Sequence, residues 1–278
     1  MGCRSPLNGV LIPRRSTLED LLAYPRRDRM PCMLIYGDTG VGKTKVIAKF
    51  VRDHPPVFDH GTGIARTPVV AFQMPAQPDE DQFYDELFRA LGAPGRRADG
   101  MQGTRRHCRE LLRAMGTRVL IIDEVHAMLA GTYRQQRVFL NTMRFLTNDL
   151  QMPLVCAGTD EGRQAILTDA QLAERFDALE LPRWRDDDAL RRLLASFAAI
   201  LPLRQRSELD SPTLRKRVLA MSDGVTNRIF RLIEVVAVNA IKSGTERIDA
   251  ASFAAQDLVL PLVSMTRRMR QNLGRRAA

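Results

Sequence analysis

Three glycines, a lysine and a threonine occur within eight consecutive residues near the start of the chain. The eight are Gly37, Asp38, Thr39, Gly40, Val41, Gly42, Lys43 and Thr44. Glycines at this spacing allow positive φ angles, so that several backbone N–H groups can converge on one anion. The lysine adds a positive charge, and the threonine hydroxyl can bind a hard metal ion. These residue types in this order are typical of a loop that binds a polyphosphate.

The segments that flank this loop have the form that a phosphate-binding loop requires. Residues 33–36 are apolar and predict a β-strand, and residues 45–52 predict a helix. The positive end of the helix dipole would favour an anion in the loop. We therefore predict a nucleoside triphosphate site, in which Lys43 reaches the β- and γ-phosphates and Thr44 binds magnesium. The alternative is a chance glycine turn before a helix.

A pair of acidic residues, Asp123 and Glu124, follows the apolar run at residues 119–122. A phosphate-binding loop needs a carboxylate at the end of a neighbouring strand to hold the magnesium shell, and Asp123 is predicted to supply it. Glu124 is predicted to polarise the attacking water as a general base. Together with His126, the pair also matches the Asp-Glu-x-His motif of helicases. Such helicases need two tandem motor domains, and this chain has room for one. We interpret His126 as a residue at the start of a helix.

Five apolar runs predict strands, at residues 33–36, 69–74, 118–123, 154–158 and 178–181. The predicted helices are residues 16–22, 45–52, 79–91, 104–115, 135–150, 186–201, 211–221 and 226–241, with a shorter one from Asp249 and a loop at 92–103. Continuous apolar strands separated by helices favour an α/β fold with a parallel sheet covered on both faces. The predicted divisions are an N-terminal segment with a lead-in helix (1–30), an α/β core (31–183), a helical region (184–258) and a basic tail (259–278).

The chain has a formal net charge of +10 over 278 residues, which favours polyanionic partners. A solvated, arginine-rich surface is the alternative. Four widely separated cysteines support neither a zinc site nor a disulfide framework. The longest apolar stretch, residues 232–241, is too short to span a bilayer. With no secretory signal pattern either, we expect a cytoplasmic protein without a membrane segment.

With both motifs in place, the core resembles the AAA+ ATPases, which bind ATP and Mg²⁺. In that family the magnesium acid lies two strands from the loop strand, and a polar sensor ends the strand between them. The run Pro-Leu-Val-Cys-Ala-Gly-Thr at residues 153–159 ends in Thr159, which the resemblance places at the sensor position. A helix N-cap for the segment from Asp160 is a second role compatible with the first. The resemblance implies a five-stranded parallel sheet followed by a small helical lid.

Two arginines further along the chain resemble functional arginines of this family. Arg175, in Leu-Ala-Glu-Arg-Phe, is the candidate finger that reaches the nucleotide of an adjacent subunit. An exposed helical arginine paired with Glu174 or Asp177 is the alternative. Arg228, in Gly-Val-Thr-Asn-Arg, resembles a second sensor that closes the lid onto the phosphates. A solvent-facing helical arginine is the alternative there.

Three stretches are similar to TniB, a transposon-encoded ATPase family related to TnsC and more distantly to IstB. They are residues 17–44, Leu-Ile-Ile-Asp-Glu-Val-His at 120–126 and Val-Cys-Ala-Gly-Thr-Asp-Glu-Gly at 155–162, and the similarity covers most of residues 16–255. The resemblance implies that ATP binding assembles subunits as a filament or ring on duplex DNA. The assembly recruits a DDE-type transposase and a TniQ-like targeting protein, and hydrolysis disassembles it.

Two features of the residues support part of this independently. A finger that acts on a neighbour requires self-assembly, and a basic chain without base-reading motifs fits sequence-tolerant binding to the DNA backbone. The candidate DNA contacts are Arg96, Arg97, Arg105 and Arg106, although a solvated basic loop explains them equally well. Other functions stay open: a helicase loader or initiator, a secretion-assembly ATPase of the ExeA type, or a nucleotide-gated scaffold with very slow hydrolysis.

Overall fold

The computed structural model describes residues 15–94 and 100–253. Within these ranges the chain forms two compact units. One contains residues 15–39 and 43–181, and the other contains residues 40–42 and 182–253. The middle of the glycine-rich loop is therefore grouped with the C-terminal part of the chain. Among the described residues, no helix is both long enough and apolar enough to cross a bilayer.

The first unit consists of strands and helices that mostly alternate. The strands are β1 (Cys32–Tyr36), β2 (Val57–Asp59), β3 (Ile64–Arg66), β4 (Val69–Gln73), β5 (Val119–Asp123), β6 (Leu154–Gly158) and β7 (Phe176–Glu180). The helices are α1 (Arg15–Ala23), α2 (Lys43–Asp53), α3 (Glu80–Leu91), α4 (Gly100–Ala114), α5 (Tyr133–Leu150), α6 (Asp160–Leu167) and α7 (Ala170–Ala173), and a 3₁₀-helix spans Val125–Ala130. Five strands form one parallel sheet in the order β4-β5-β6-β1-β7. The prediction of a five-stranded parallel sheet is confirmed.

The order of the strands brings three functional segments to one edge of the sheet. Strand β6 lies between β5 and β1, and all of β5 and β6 is buried. Leu34 and Ile122 both lie level with Cys156 of β6. Because the strands are parallel, their carboxyl ends open at the same edge. The glycine-rich loop, Asp123 and Thr159 follow those ends directly.

Several helix ends match their sequence signals. Asp79 accepts a hydrogen bond from Gln82 N at the start of α3, and Gly92 ends that helix with φ of 63°. Thr132 and Gln135 form a reciprocal capping box at the start of α5. Apolar residues of α3 and α5 pack on the sheet; Phe83, for example, is fully buried.

The second unit is helical, as predicted, and has its own apolar core. Its helices are α8 (Asp188–Ile200), α9 (Pro212–Ser222) and α10 (Thr226–Lys242), with a 3₁₀-turn at Ala251–Phe253. The Asp187 carboxylate caps α8 by accepting from Leu190 N, and Pro212 opens α9. Leucines and valines on the facing sides of these helices surround the buried ring of Phe253.

Local details differ from the predicted elements. Residues 100–103, predicted as part of a loop, are the first turn of α4. The antiparallel hairpin β2–β3 was not predicted. The helix start expected at His126 is a short 3₁₀-helix that begins one residue earlier, at Val125. The helix predicted from Asp249 is represented by a 3₁₀-turn at Ala251–Phe253. The rest of that prediction lies outside the described residues.

Candidate functional site

The glycine-rich loop has the backbone that its composition predicts. Gly37, Gly40 and Gly42 have φ angles of 154°, 84° and 114°. Residues with a Cβ atom rarely adopt such angles. At Gly40 a Cβ atom would also lie 3.2 Å from Val225 Cγ1, which is tighter than ordinary contact. The positions of the three glycines are therefore fixed by conformation, and at Gly40 by space as well.

Lys43 is the first residue of α2, and its ammonium group lies inside the loop. Its Nζ donates to the carbonyl oxygens of Gly37 at 2.9 Å and Asp38 at 3.0 Å. Burial lowers the pKa of Lys43, while the carboxylates of Glu124, Asp123 and Asp38 act in the opposite direction. The residue is 5% exposed. A buried cation hydrogen-bonded to the backbone of a glycine-rich loop is suited to an anionic ligand with several charges.

Thr44 and Asp123 join the loop to the neighbouring strand β5. Thr44 Oγ1 donates to Asp123 Oδ2 at 2.7 Å, and the backbone N of Glu124 donates to Asp123 Oδ1 at 2.8 Å. Asp123 is 7% exposed. A hydroxyl and a carboxylate at this distance offer two hard oxygen ligands that fit Mg²⁺.

Glu124 has an unusual backbone conformation for its residue type. Its φ is 56° and its ψ is 37°, which is the left-handed region. A residue with a side chain held there costs about 1–3 kcal/mol, and such strain is frequent at active sites. The Glu124 carboxylate contacts the His126 ring, with Oε2 3.2 Å from Nε2. His126 is the second residue of the 3₁₀-helix that begins at Val125, and its ring also contacts the predicted general base.

Thr159 follows β6 at the position that precedes α6. Its backbone is extended, as at a helix N-cap, but its side chain makes no capping hydrogen bond. Its Oγ1 donates instead to Glu161 Oε2 at 3.2 Å. The capping interpretation therefore holds for the position and not for the hydroxyl, which lies at the sheet edge that also carries Asp123.

Arg175 lies between α7 and the outer strand β7. Its Nη1 donates to Asn148 Oδ1 of α5 at 2.5 Å, and its backbone oxygen accepts from Cys32 N. Its buried Nε has no hydrogen-bond partner among the described residues. The side chain is half-buried rather than an exposed helical arginine.

A family model decides the relationship of the chain to known proteins. The model of the bacterial TniB protein matches residues 14–186, which is more than half of the chain. The chain belongs to this family. Its fold is similar to that of ORC and RuvB proteins of known structure.

Solved structures with the same fold have low sequence identity to the TniB-family chain. The ORC1 protein of Aeropyrum pernix, in complex with DNA, is 16% identical with a TM-score of 0.61 and covers 87% of this chain and 62% of its own. The ORC2 protein of the same organism, in ADPNP–ADP complexes, is 15% identical with a TM-score of 0.59, covering 86% and 63%. A RuvB branch migration motor of Thermotoga maritima is 16% identical with a TM-score of 0.52, covering 86% and 67%. The chain thus spans less than two thirds of either ORC protein. No curated protein matches it significantly.

In the helical unit, the start of α10 holds the middle of the glycine-rich loop. The backbone N of Asn227 donates to Gly40 O at 2.9 Å, and Thr226 Oγ1 donates to Val41 O at 2.6 Å. Thr226 Oγ1 also accepts from Trp184 Nε1 at 2.9 Å. Sequence reasoning named Arg228 in this motif and missed Thr226 and Trp184. The signal was available, because a threonine beside a helix start is a common hydrogen-bonding residue.

Arg228 itself pairs within the helical unit. Its Nη1 lies 2.7 Å from Asp223 Oδ2, and both side chains are mostly buried. Asp223 ends α9 with φ of 55°. In this TniB-family chain the arginine lies in the first turn of α10 and pairs with the residue that ends α9, rather than facing solvent.

The four arginines predicted to contact DNA are not equivalent. Arg96 and Arg97 lie outside the described residues. Arg105 forms a two-pronged ion pair with Glu80 of α3, which raises the pKa of Arg105. With Arg106 it lines a groove of 680 Å³ between α3, α4 and α5. A direct role of Arg105 in DNA binding would require it to share or leave Glu80.

Proposed function

We propose that this TniB-family ATPase is an ATP-dependent, DNA-binding regulator of transposition. The observation that carries the nucleotide part of the proposal is the hydrogen bond of 2.7 Å between Thr44 and Asp123. It brings a glycine-rich loop and an acidic strand end together, which is the arrangement that binds a nucleoside triphosphate with its metal ion. The ORC2 neighbour is described in complexes with ADPNP and ADP, which supports ATP as the ligand.

Each residue of the proposed site has a separate task. The loop N–H groups and Lys43 bind the phosphates, and Thr44 and Asp123 hold Mg²⁺, which when bound neutralises charge on the phosphate oxygens. Glu124 accepts a proton from a water molecule as the water oxygen bonds to the γ-phosphorus. The bond from that phosphorus to the bridging oxygen breaks, and ADP and phosphate leave. Thr159 senses the γ-phosphate of the bound nucleotide.

The DNA part of the proposal depends on charge and on the family. The net charge of +10 favours the backbone of duplex DNA, and the ORC1 neighbour is described in complex with DNA. In the proposed cycle, ATP-bound subunits assemble as a filament or ring on DNA, with Arg175 acting on the nucleotide of a neighbour. A DDE-type transposase and a TniQ-like targeting protein are the proposed partners. Arg228 closes the lid onto the phosphates after leaving Asp223.

The test separates nucleotide binding, DNA binding and turnover. Wild type and Glu124→Gln are compared with no nucleotide, with ADP and with a slowly hydrolysed ATP analogue, on random-sequence duplex DNA across a salt series. Nucleotide binding is followed by the fluorescence of Trp184, the single tryptophan of the chain. We expect Glu124→Gln to bind ATP and DNA as wild type does while its turnover is lost. The exposed carboxylate of Glu208 provides the control, Glu208→Gln, which should keep turnover.

Two results would contradict parts of the proposal. Unchanged turnover in Glu124→Gln would remove Glu124 from the role of general base. DNA binding that is absent, or that does not depend on nucleotide, would contradict a regulator that assembles on DNA in its ATP state. The second result would favour a loader or protein-remodelling function with the same ATPase residues.

A further inference from the structure

His126 contacts the predicted general base and is held by two other elements. Its Nε2 lies 3.2 Å from Glu124 Oε2, and the two side chains are 30% and 36% exposed. Its Nδ1 is buried and has no hydrogen-bond partner among the described residues. The one polar contact of the ring is therefore directed at Glu124.

The backbone of His126 is packed against glycines on both sides of Thr159. A Cβ atom on Gly158 would lie 3.0 Å from Val125 Cγ1 and 3.4 Å from His126 N. A Cβ atom on Gly162 would lie 3.2 Å and 3.3 Å from the same two atoms. Larger residues at either position would push the segment after Glu124 outwards. The segment that carries Thr159 thus fixes the location of the imidazole.

We propose that His126 is a positioning residue for Glu124, whose carboxylate it holds, through the contact of its Nε2 with Oε2, in the orientation used for hydrolysis. The inference rests on the proposed function, because it deepens the assignment of Glu124 as the base. A carboxylate that must accept a proton gains from a neighbour that fixes its direction while leaving one oxygen free. The contact with His126 is made through Oε2, so Oε1 is the oxygen that would accept the proton.

The tautomer of His126 follows from the surroundings of its two nitrogens. An ionised carboxylate only accepts hydrogen bonds, so the contact with Oε2 places a proton on Nε2. Nδ1 then carries no proton, which suits a buried nitrogen that has no hydrogen-bond acceptor near it among the described residues. The opposite tautomer would bury an N–H group without a partner and would place a lone pair against the carboxylate, which is costly on both counts.

The orientation that His126 imposes keeps Glu124 near the phosphate-binding end of the site. Burial lowers the pKa of Lys43, and among the charges that oppose this effect the Glu124 carboxylate is the strongest. The carboxylate therefore lies within electrostatic reach of the ammonium group that sits in the loop. The contact with His126 holds the base at the site rather than away from it.

Steady-state turnover of the full chain with ATP, Mg²⁺ and duplex DNA tests the proposal. We expect His126→Ala to lower kcat about 10- to 100-fold with little change in KM. His126→Gln should recover most of the loss, because its amide nitrogen reaches about as far from the backbone as Nε2. The control is His54→Ala, which removes a histidine–glutamate pair elsewhere, to Glu19 at 3.1 Å. It should leave kcat unchanged.

A double mutant shows whether His126 acts through Glu124. In a Glu124→Gln background, measured in single turnover, His126→Ala should cause no further loss. Further loss of the same size would overturn the proposal. So would wild-type kcat in His126→Ala, or equal loss in His126→Ala and His126→Gln. If Glu124→Gln itself keeps wild-type turnover, or if the wild type shows none, the proposed function fails and the inference fails with it.

A second measurement does not depend on activity. The chain contains four histidines, so its imidazole ¹⁵N resonances are few, and His126 is assigned from the signal lost in His126→Gln. We expect the Nε2–H tautomer, with shifts that change in Glu124→Gln and not in Glu208→Gln. An Nδ1–H tautomer in the folded wild-type protein would overturn the proposal.

Discussion

Asp123 is a buried carboxylate whose two oxygens each accept one hydrogen bond. Thr44 Oγ1 donates to Oδ2, and Glu124 N donates to Oδ1. Neither bond needs a ligand, so the hydroxyl of Thr44 also stabilises the folded protein without nucleotide. If the buried Asp123 carboxylate loses one of these donors, its desolvation penalty is no longer offset by that hydrogen bond, and the folded state is destabilised.

Replacement of Thr44 by valine therefore has a measurable cost in the nucleotide-free protein. We expect Thr44→Val to lower the free energy of unfolding by about 1–3 kcal/mol, since it removes the donor to Asp123 and keeps the shape. Thr44→Ser, which retains the hydroxyl, is the control and should lose much less. Urea unfolding without nucleotide and magnesium measures both. Equal stability of Thr44→Val and wild type would mean that water replaces the hydroxyl.

At the scale of residues, the sequence predicts the members of the site better than their contacts. Glycines at 37, 40 and 42 were predictable, because few other residues adopt their φ angles. The contact between Glu124 and His126 was not, because it depends on the left-handed conformation of Glu124. Glutamate has no preference for that region, so nothing local in the sequence indicates it.

Among the elements, the first turn of α6 is constrained by its packing against the segment after Glu124. Gly162 lies inside α6, where alanine would normally add about 1 kcal/mol of stability. Here an added Cβ atom would lie 3.2 Å from Val125 Cγ1 and 3.3 Å from the backbone of His126. Crowding of a packed segment typically costs about 1–3 kcal/mol, which exceeds the gain in helix propensity.

We therefore expect Gly162→Ala to destabilise the protein by about 1 kcal/mol and to slow turnover. Thermal unfolding and kcat measure the two effects. Val125→Ala in the same chain removes the closest atom and should restore part of both, whereas restoration of neither would exclude crowding as the cause. A stabilised, fully active Gly162→Ala would mean that α6 shifts freely.

The elements that the sequence did not predict have short or contradictory signals. Strands β2 and β3 have three residues each, and β2 begins just after two prolines, Pro55 and Pro56, so no alternation develops. The first turn of α4 contains Gly100 and Gly103, which disfavour helix on their own. Gly103 and Thr104 are buried, so packing against the neighbouring elements outweighs propensity there. Long apolar strands such as β5 were predictable because burial alone sets their pattern.

At the scale of the whole molecule, the proposed action of Arg175 on a neighbouring subunit can be tested by mixing. Within its own chain, Arg175 lies just before β7, the outer strand of the sheet, and its side chain donates a hydrogen bond to Asn148 of α5. We expect Arg175→Ala and Lys43→Ala each to lose turnover alone, because one lacks the finger and the other the phosphate contact. A mixture should regain part of the activity, since some interfaces pair an intact loop with an intact arginine. Turnover at fixed total protein measures this, and a mixture no better than its components would contradict action between subunits.

The hydrogen bonds from the start of α10 to Gly40 and Val41 have a practical consequence for dissecting the protein. The family match ends at residue 186, which makes that position an attractive end for a shortened fragment. Such a fragment would keep every residue of the glycine-rich loop and the acidic pair. It would lose Thr226 and Asn227, the donors to the carbonyl groups of Val41 and Gly40. A fragment truncated at the boundary of the family match would thus keep the complete sequence of the loop but lack the two hydrogen bonds that α10 donates to its backbone.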